Sequence, residues 1–308
     1  MLTAAETTTA YEAAPSAGRS RAWRVSSFTG ISRMTEDDGS GARVWFGKAK
    51  TTPIEGDILS FPKGAQAGTC LHEIMELADF SAMAADTPEA DAARRTLALR
   101  EVEKHLSLVG SEAENAAEGA AGMIFDLLNA EVAPGVTLKR VSPSARSAEL
   151  EFLLPIPEGL TAERLARELR RLDPKYDFGA LRPESLKGFL TGFIDLAFES
   201  GGRFYVLDWK SNKIAEEAAG YTEKAMADEM AVHLYRLQYL IYWVALRRFL
   251  KVRLGSLWRD DMIGGAIYVF LRGVRAGVTT PANPQGIVFD PVAPEVIERL
   301  DDLFAGRA

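Results

Sequence analysis

Two apolar runs that meet at a pair of glycines constrain the fold of this 308-residue chain more than any other feature. The run GFIDLAFES ends at Gly201-Gly202, and RFYVLDWKS follows directly. Adjacent glycines allow the backbone angles of a two-residue hairpin turn, so the sequence predicts an antiparallel hairpin over residues 189–211. Counting outward from this turn places Asp195 directly opposite Asp208. A three-residue turn would shift the pairing by one position and remove this opposition.

Two carboxylates and a lysine share one face of the predicted hairpin. Facing side chains have Cβ atoms on the order of 5 Å apart, and like charges at that separation are destabilising. A divalent cation between Asp195 and Asp208 would remove the repulsion, and carboxylate oxygens suit Mg²⁺ or Mn²⁺. Lys210 lies two residues beyond Asp208, so it points to the same face. Such a site can polarise a phosphodiester while the lysine orients water or neutralises developing charge. The alternative is an exposed Asp–Lys pair on a solvated hairpin.

The composition excludes several classes of protein. Hydrophobic residues make up 47% of the chain and charged residues 26%, which is typical of a globular protein. Cys70 is the single cysteine, so an internal disulfide, a cysteine-based zinc knuckle and a four-cysteine iron–sulfur cluster are excluded. The sequence contains no G-x-x-x-x-G-K-[ST] motif, the phosphate-binding loop that a nucleotide-driven motor requires. The net charge of −7 means that any binding of nucleic acid must rest on a local site.

The chain is predicted to hold one domain behind a tether. Residues 1–22 are rich in Ala, Thr, Ser and Glu and show no apolar period, which indicates a flexible tether. Residues 23–308 are predicted to form the domain, with a helical part at about 67–130 and a catalytic core at about 145–275. The N-terminus lacks a signal-peptide pattern, and the longest apolar run is shorter than the roughly 20 residues of a membrane span. We therefore expect a cytoplasmic protein with no membrane partner.

Apolar spacing predicts the remaining elements. A helix is expected from about residue 67 with Thr69 as its N-cap, and a strand that Pro155 stops is expected over 147–156. Further helices are predicted at 91–108, 112–128, 160–172 and 226–250, and a last strand at 264–273. Together these elements predict an α/β fold with one central mixed β-sheet flanked by helices.

The hairpin and its flanking segments resemble the RecB family of PD-(D/E)xK nucleases. The similar segments are GFIDLAFESGGRFYVLDWKSN (192–212), WRVSSFTG (23–30), GTCLHEIMELADF (68–80), AELEFLLPI (148–156), HLYRLQYLIYWVALRRFL (233–250), GGAIYVFLRGV (264–274) and DDLFAG (301–306). The hairpin motif is highly specific and the others are moderately so. The resemblance implies a restriction-endonuclease-like core with an N-terminal helical region. The proline that the family carries before its first aspartate is absent, and Ile194 stands there.

The resemblance also implies a set of metal ligands. Asp195 and Asp208 match the family's ligand carboxylates, and His72 matches a third ligand. The Leu207 carbonyl or the Trp209 backbone is implied to complete the shell. A lone histidine on an apolar-striped helix is more often structural, so the ligand role of His72 rests on the resemblance.

Further residues match the family's catalytic motifs. Lys210 matches the catalytic lysine, and Glu149 matches an acidic residue on the preceding strand. Alternation places Glu151 on the same face as Glu149, so Glu151 is the second candidate for this acidic residue. Gln238 and Tyr242 match a Q-x-x-x-Y motif one helical turn apart. For Tyr242 the alternative is core packing, because aromatic residues recur along this helix.

The function implied by the resemblance is a Mg²⁺-dependent deoxyribonuclease that cleaves single-stranded or unwound DNA and leaves 5′ phosphates. Mg²⁺ is the implied cofactor, with Mn²⁺ as a substitute and Ca²⁺ as an inhibitor. The implied partners are DNA ends, a helicase region of the same parent chain, RecC- and RecD-type subunits and a RecA-type recombinase. The alternative is a non-catalytic DNA-end-binding or recombinase-docking module, which would be expected to have lost its acidic cluster. A basic cluster at 247–253 suits either DNA backbone or a solvated helix end.

Overall fold

The computed structural model describes residues 25–27, 55–179 and 188–307, so the predicted tether lies outside the described residues. The strands are β1 Val25–Ser27, β2 Glu131–Ala133, β3 Val136–Thr137, β4 Arg146–Ile156, β5 Gly188–Ser200, β6 Arg203–Lys210, β7 Ile263–Phe270 and β8 Ile287–Asp290. The α-helices are α1 Ala65–Leu77, α2 Pro88–His105, α3 Ser111–Asn129, α4 Ala162–Leu172, α5 Glu223–Val232, α6 Tyr235–Leu254 and α7 Pro294–Phe304.

A six-stranded mixed sheet organises the fold, as the sequence predicted. The strand order is β1-β5-β6-β7-β8, and β4 pairs with the remaining edge of β5. β1 runs parallel to β5 and β6 runs parallel to β7, whereas the other pairs are antiparallel. Strand β6 pairs with the end of β5 nearest the turn, and β1 pairs farther along the same edge. The sheet therefore forks where β6 leaves β5.

The turn between β5 and β6 has the geometry that the glycine pair indicated. Gly201 and Gly202 both have positive φ, 61° and 77°, which suits a two-residue hairpin turn. Ser200 pairs with Arg203, and the ladder continues in one register to Leu196. The register predicted from the turn is thus confirmed as far as Leu196 and Leu207; the opposition of Asp195 and Asp208, one position beyond the last ladder pair, stays a prediction.

Helices cover both faces of the sheet and enclose two apolar cores. Core 1 lies against α4, α5, α6 and α7, and core 2 lies against α1, α2 and α3. In β6, Val206 packs into core 1, whereas Leu207 and Trp209 pack into core 2. Asp208 and Lys210, which alternate with these residues, therefore face α6. This confirms that the two charged residues share one face.

Strands β4 and β5 change faces at one shared position. In β5, Ile194 packs into core 1 but Leu196 packs into core 2, although a regular strand would place both on one face. The strand β4 changes faces at the opposite position, where Glu149 adopts a left-handed φ of 47°. The ladder keeps the same register on both sides of this position. Glu149 and Asp195 consequently oppose each other at a local irregularity of both strands.

A buried arginine fixes the segment before α1 to the end of β6. Arg272 is 1% exposed and donates to the carbonyl oxygens of Ser211, Ile58 and Phe61, each at 2.8 Å. A fourth bond reaches the Pro62 carbonyl oxygen at 2.7 Å. Since these carbonyls precede α1 and follow β6, the guanidinium sets how α1 sits beside the fork.

Several predicted boundaries were wrong. Helix α1 begins earlier than expected, and Thr69 lies inside it, where its hydroxyl donates to the Ala65 carbonyl oxygen at 3.1 Å instead of capping the helix. Strand β4 ends at Ile156, as predicted, and Pro155 lies one residue inside this end, where an edge strand tolerates a missing N–H. The single long helix is two helices, α5 and α6, separated at Leu234, which has φ 54°. The strands β1, β2, β3 and β8 and the helix α7 had not been predicted.

Two arginines of the basic cluster are used inside the fold. Arg247 is 2% exposed, and its guanidinium lies 2.9 Å from Asp301 and 3.3 Å from Asp260. Arg248 binds the same Asp301 carboxylate at 2.6 Å. These two side chains hold α6 against α7, so they are structural. Of the helices in the described ranges, none combines the length and the apolar character that crossing a membrane requires.

Candidate metal centre

The candidate centre lies at the fork between β5 and β6. The β5–β6 ladder ends at the pair Leu196 and Leu207. At the next position the Asp195 carboxylate takes the place of a backbone acceptor, and the Trp209 N–H donates to its Oδ2 at 2.8 Å. A buried backbone donor is thereby satisfied where the strands separate. This bond fixes the orientation of Asp195.

Helix α1 brings His72 to the same place. Its Nδ1 lies 3.4 Å from Asp195 Oδ2, and the ring also hydrogen-bonds to the backbone of Trp209. A close approach of α1 to the end of β6 makes this possible, since a Cβ at Gly68 would stand 3.1 Å from Ser211 Oγ. Hydrogen bonds of this kind fix the ring orientation of a ligand histidine.

Three side chains present ligand atoms to one point. One atom each from His72, Glu149 and Asp195 lie within 4.8 Å of one another. Both Glu149 and Glu151 are exposed, but only Glu149, with its left-handed backbone, places its carboxylate in this group. Sequence reasoning favoured Glu149 on motif position, and the geometry agrees with that choice.

The electrostatics of the group favour a bound cation. Burial, and then the charge of Asp208, raise the pKa of Asp195 well above its usual value. Burial, with the charges of Glu76 and Asp208, also raises the pKa of Glu149. Burial lowers the pKa of His72, which favours the neutral imidazole that binds metals. A divalent cation would stabilise the ionised carboxylates that repel each other here.

Asp208 lies close enough to Asp195 to act on its charge, and it pairs with Lys210. It is 2% exposed, and its Oδ2 accepts a hydrogen bond from the Tyr242 hydroxyl at 3.3 Å. Its Oδ1 is buried without a hydrogen bond and lies 2.6 Å from Lys210 Nζ in an ion pair. The ammonium supplies the positive charge that this buried oxygen requires. The fit to a metal ion therefore rests on the group formed by His72, Glu149 and Asp195. The oxygen-rich donor set with one imidazole fits Mg²⁺ or Mn²⁺.

Side chains of α6 and β7 surround the Lys210 ammonium. Gln238 Oε1 lies 3.3 Å from Lys210 Nζ, and Gln238 Nε2 donates to the Tyr242 hydroxyl at 2.7 Å. The Tyr268 hydroxyl donates to the same Gln238 oxygen at 2.7 Å. Burial alone would lower the pKa of Lys210, but the interactions with Asp208, Tyr235 and Asp195 together outweigh it and the pKa is raised. The lysine is therefore a fixed ammonium within a hydrogen-bonded network.

The structure brings His72, Glu149 and Asp195 together, and Asp208 with Lys210 lies beside this group and not within it. Gln238 and Tyr242 contact Lys210 and Asp208 respectively, so Tyr242 is more than core packing. Leu207 lies inside the ladder, paired with strands on both sides, and a ligand role for its carbonyl stays a prediction. The Trp209 backbone bonds to Asp195 and His72, which makes it a support for ligands; direct ligation through it stays a prediction.

Sequence reasoning missed two aromatic residues of the site. The Tyr235 ring lies 3.9 Å from Lys210 Nζ and the Tyr268 ring lies 5.2 Å from it. Both had signals that could have found them. Tyr235 is one helical turn before Gln238, and Tyr268 pairs directly with Asp208 between β6 and β7.

A second group of acids with a histidine joins α1 to α2. Glu73, Glu101 and His105 place ligand atoms within 4.8 Å of one another. The Lys104 ammonium binds Glu73 and lies 3.4 Å from Glu101 Oε2, while Glu73 also binds His105. Because an ammonium already neutralises this group, it is an ion-pair network between two helices.

Comparison with known proteins agrees with the site. A family model described as the PD-(D/E)XK nuclease superfamily matches residues 57–308. The chain is 34% identical over 298 residues to the RecBCD enzyme subunit RecB of Escherichia coli (strain K12), covering 92% of this chain and 23% of that protein. It is 29% identical over 303 residues to the subunit of the same name from Haemophilus influenzae, covering 92% of this chain and 24% of that protein.

A third relative with the same name, from Mycolicibacterium smegmatis, is 28% identical over 319 residues, covering 90% of this chain and 28% of that protein. The chain thus spans about a quarter of the length of these curated relatives. The resemblance to the RecB family and the α/β fold class expected from the sequence are both confirmed. The site at the fork holds His72, Glu149 and Asp195 beside the Asp208–Lys210 pair, and the family model matches residues 57–308. The chain therefore belongs to the PD-(D/E)XK nuclease superfamily.

Proposed function

We propose that this chain is a Mg²⁺-dependent deoxyribonuclease that hydrolyses phosphodiester bonds in single-stranded or unwound DNA. It would act as the nuclease of a RecBCD-type double-strand-break repair helicase–nuclease, of the exodeoxyribonuclease V type. The observation that carries this proposal is the convergence of three ligand side chains beside the buried Asp208–Lys210 pair. The names of the relatives, which are all RecBCD enzyme subunit RecB, support the assignment to that machine.

The metal ligands in this proposal are His72, Glu149 and Asp195, together with Asp208 through its Oδ1. Their three carboxylates and one imidazole leave room in the coordination shell for water and phosphate oxygens, as Mg²⁺ requires. When bound there, the ion polarises the phosphodiester and lowers the pKa of water. Mn²⁺ is expected to substitute and Ca²⁺ to inhibit.

Lys210 has the position of a residue that acts on the reacting phosphate. Its ammonium lies beside the buried Asp208 oxygen and is held by Gln238 at 3.3 Å. From there it can donate a hydrogen bond to the attacking water or to a phosphate oxygen that gains charge. Tyr242 donates to Asp208 and so keeps that carboxylate from rotating.

The relatives' name, RecBCD enzyme subunit RecB, supports RecC- and RecD-type subunits as partners, whereas the other partners rest on the family resemblance alone. A helicase region of the same parent chain would deliver single strands, and RecC- and RecD-type subunits would complete the assembly. A RecA-type recombinase would receive the processed strand. The division into a tether and one nuclease domain, and the cytoplasmic location, stay predictions.

The test is cleavage of end-labelled linear and circular single-stranded DNA with Mg²⁺ and with EDTA. The parent protein is expected to cut in Mg²⁺ alone, and Asp208→Asn is expected to cut at least about 100-fold more slowly because the proposed ligand loses its negative charge. Glu151→Gln is the matched control, since this exposed carboxylate lies on the same strand as Glu149 but outside the ligand group. Cutting of the circle would show that no free end is needed.

A folded parent protein that cuts neither DNA with Mg²⁺ or Mn²⁺ would overturn the proposal for the isolated chain. Calorimetric titration with Mg²⁺ would then separate the alternatives. Binding lost in Asp208→Asn would indicate a nuclease that needs its partner subunits. No binding at all would indicate the non-catalytic docking module.

A further inference from the structure

Two tyrosine rings face the Lys210 ammonium from different elements. Tyr235 begins α6 and its ring centre lies 3.9 Å from Lys210 Nζ. Tyr268 lies in β7 and its ring centre is 5.2 Å away. Both distances fall within the roughly 6 Å over which an aromatic face attracts a cation. The two rings stack on each other with centres 5.4 Å apart.

The surroundings of the rings hold them in place. Tyr268 is 2% exposed, and its ring also meets the ring of Tyr239 edge to face at 5.9 Å. Tyr235 stacks on His233 at 5.1 Å, and its hydroxyl interacts with the Asn212 side chain. The rings are thus fixed by contacts that do not involve Lys210.

A cation at the fork would change what holds Lys210. Asp208 Oδ1 lies 2.6 Å from the Lys210 ammonium, and it is also the oxygen that would serve as a metal ligand in the proposed function. A divalent ion on this oxygen competes with the lysine for it and repels the ammonium. A lysine side chain has a flexible four-carbon stem and would turn away unless another attraction keeps it there. Aromatic faces attract an ammonium without taking a carboxylate from the metal.

We propose that Tyr235 and Tyr268 are positioning residues that hold the Lys210 ammonium at the reacting phosphate when Asp208 is occupied by the metal ion. Tyr268 acts a second time through its hydroxyl, which holds the Gln238 oxygen toward the same ammonium at 2.7 Å. This inference rests on the proposed function, because it assigns a role to residues around the proposed catalytic lysine. Neither tyrosine ring contacts the substrate in this proposal.

The kinetic test compares ring removal with ring retention. Tyr235→Leu is expected to lower kcat by about 3- to 30-fold, the range that a lost cation–π contact supplies, with KM changed less than about 2-fold. Tyr235→Phe keeps the ring and is expected to retain the parent kcat within about 2-fold. Tyr205→Leu is the matched control, because this buried tyrosine stacks on Phe198 in core 2, away from the lysine.

A second readout does not depend on cleavage. In protein labelled with ¹³Cε-lysine, the Lys210 methylene is expected to show an upfield ring-current shift, and Lys210→Arg assigns its signal. The shift should persist when Mg²⁺ is added, should survive in Tyr235→Phe and should be lost in Tyr235→Leu.

The outcomes separate this inference from the proposed function. A parent protein that does not cut DNA overturns the proposed function, while the ¹³C signal still reports on the lysine. An unshifted Lys210 signal in the Mg²⁺-loaded parent overturns the inference. So does an active parent in which Tyr235→Leu lowers kcat no more than Tyr205→Leu.

Discussion

The Asp195 carboxylate accepts a hydrogen bond from the backbone N–H of Trp209 at 2.8 Å, one position beyond the last ladder pair of β5 and β6. One side chain thus has two functions. It satisfies the backbone donor that the fork would leave buried, and it presents an oxygen to the candidate metal centre.

This dual function predicts different effects for two substitutions. Asp195→Asn keeps an oxygen for the Trp209 N–H and removes a charge that Asp208 repels, so we expect the metal-free protein to be at least as stable as the parent. Asp195→Ala leaves the N–H without an acceptor and should lower the free energy of unfolding by about 1–3 kcal/mol. Both should lose cleavage by about 100-fold or more. Urea unfolding in EDTA and the cleavage assay measure these effects; equal stability of the two variants would contradict the argument.

Because the backbone at Glu149 is left-handed, we expect glycine to be more stable than alanine at this position, the reverse of the usual order in a strand. With φ at 47°, a side chain at this position strains the backbone by about 1–2 kcal/mol, and glycine does not. We therefore expect Glu149→Gly to unfold at higher urea concentration than Glu149→Ala, although glycine normally destabilises a strand. Both variants should bind Mg²⁺ less tightly in calorimetry. At the ordinary strand position Glu151 the order should be the usual one, with alanine more stable, and the same order at Glu149 would refute the strain.

Arg272 predicts a link between stability and the metal centre. Its guanidinium serves four carbonyl oxygens before α1 and after β6. Arg272→Met would leave these buried acceptors unpaired and should lower the free energy of unfolding by about 3 kcal/mol or more. Because α1 carries His72, Mg²⁺ affinity should fall as well. Arg253→Met removes an exposed arginine of α6 and is the control. An Arg272→Met protein with the stability and the Mg²⁺ affinity of the parent would show that the four hydrogen bonds of Arg272 are dispensable.

The buried tyrosines predict alkaline destabilisation. Burial raises the pKa of Tyr221 and of Tyr176 from 10.0 to about 12. Between these values the folded protein binds more protons than the unfolded chain, so the free energy of unfolding falls as pH rises above about 10. Each tyrosine adds at most about 1.4 kcal/mol per pH unit to this decline.

Tyr221→Phe isolates one of these contributions. The variant loses the hydrogen bond from the Tyr221 hydroxyl to the Asn212 carbonyl oxygen at 3.2 Å, so it should be less stable than the parent at pH 8. Its stability should then decline less steeply, and the two curves should converge toward pH 12. Guanidinium unfolding at a series of pH values measures both slopes. Parallel curves would mean that Tyr221 titrates alike in the folded and unfolded chains.

The hairpin was predictable because its information is local. Two adjacent glycines fix the turn, and the turn fixes the register of the ladder as far as Leu196 and Leu207, directly before Asp195 and Asp208. The resemblance supplied His72, which lies far away in the sequence and has no local signal for its role. The same resemblance distinguished Glu149 from Glu151, which a strict alternation treats as equivalent.

The unpredicted features depend on tertiary context. The break at Leu234 interrupts a continuous apolar helix pattern with no glycine or proline to mark it. The face change at Glu149 violates the period of two on which strand prediction rests. Arg247 and Arg248 look like a solvated helix end until α7 supplies Asp301 as their partner.

The length of the turn at Gly201 and Gly202 sets the register of β6 against β5, and so the position of a distant site. Asp195 and Asp208 stand about 20 Å along the strands from this turn, at roughly 3.3 Å per residue. One inserted residue there would slide β6 past β5 and carry Asp208 and Lys210 to the opposite face, away from α6. Inserted residues are ordinarily tolerated best at exposed loop tips. In this fold the exposed turn of the central hairpin is therefore a position where inserted residues should be poorly tolerated.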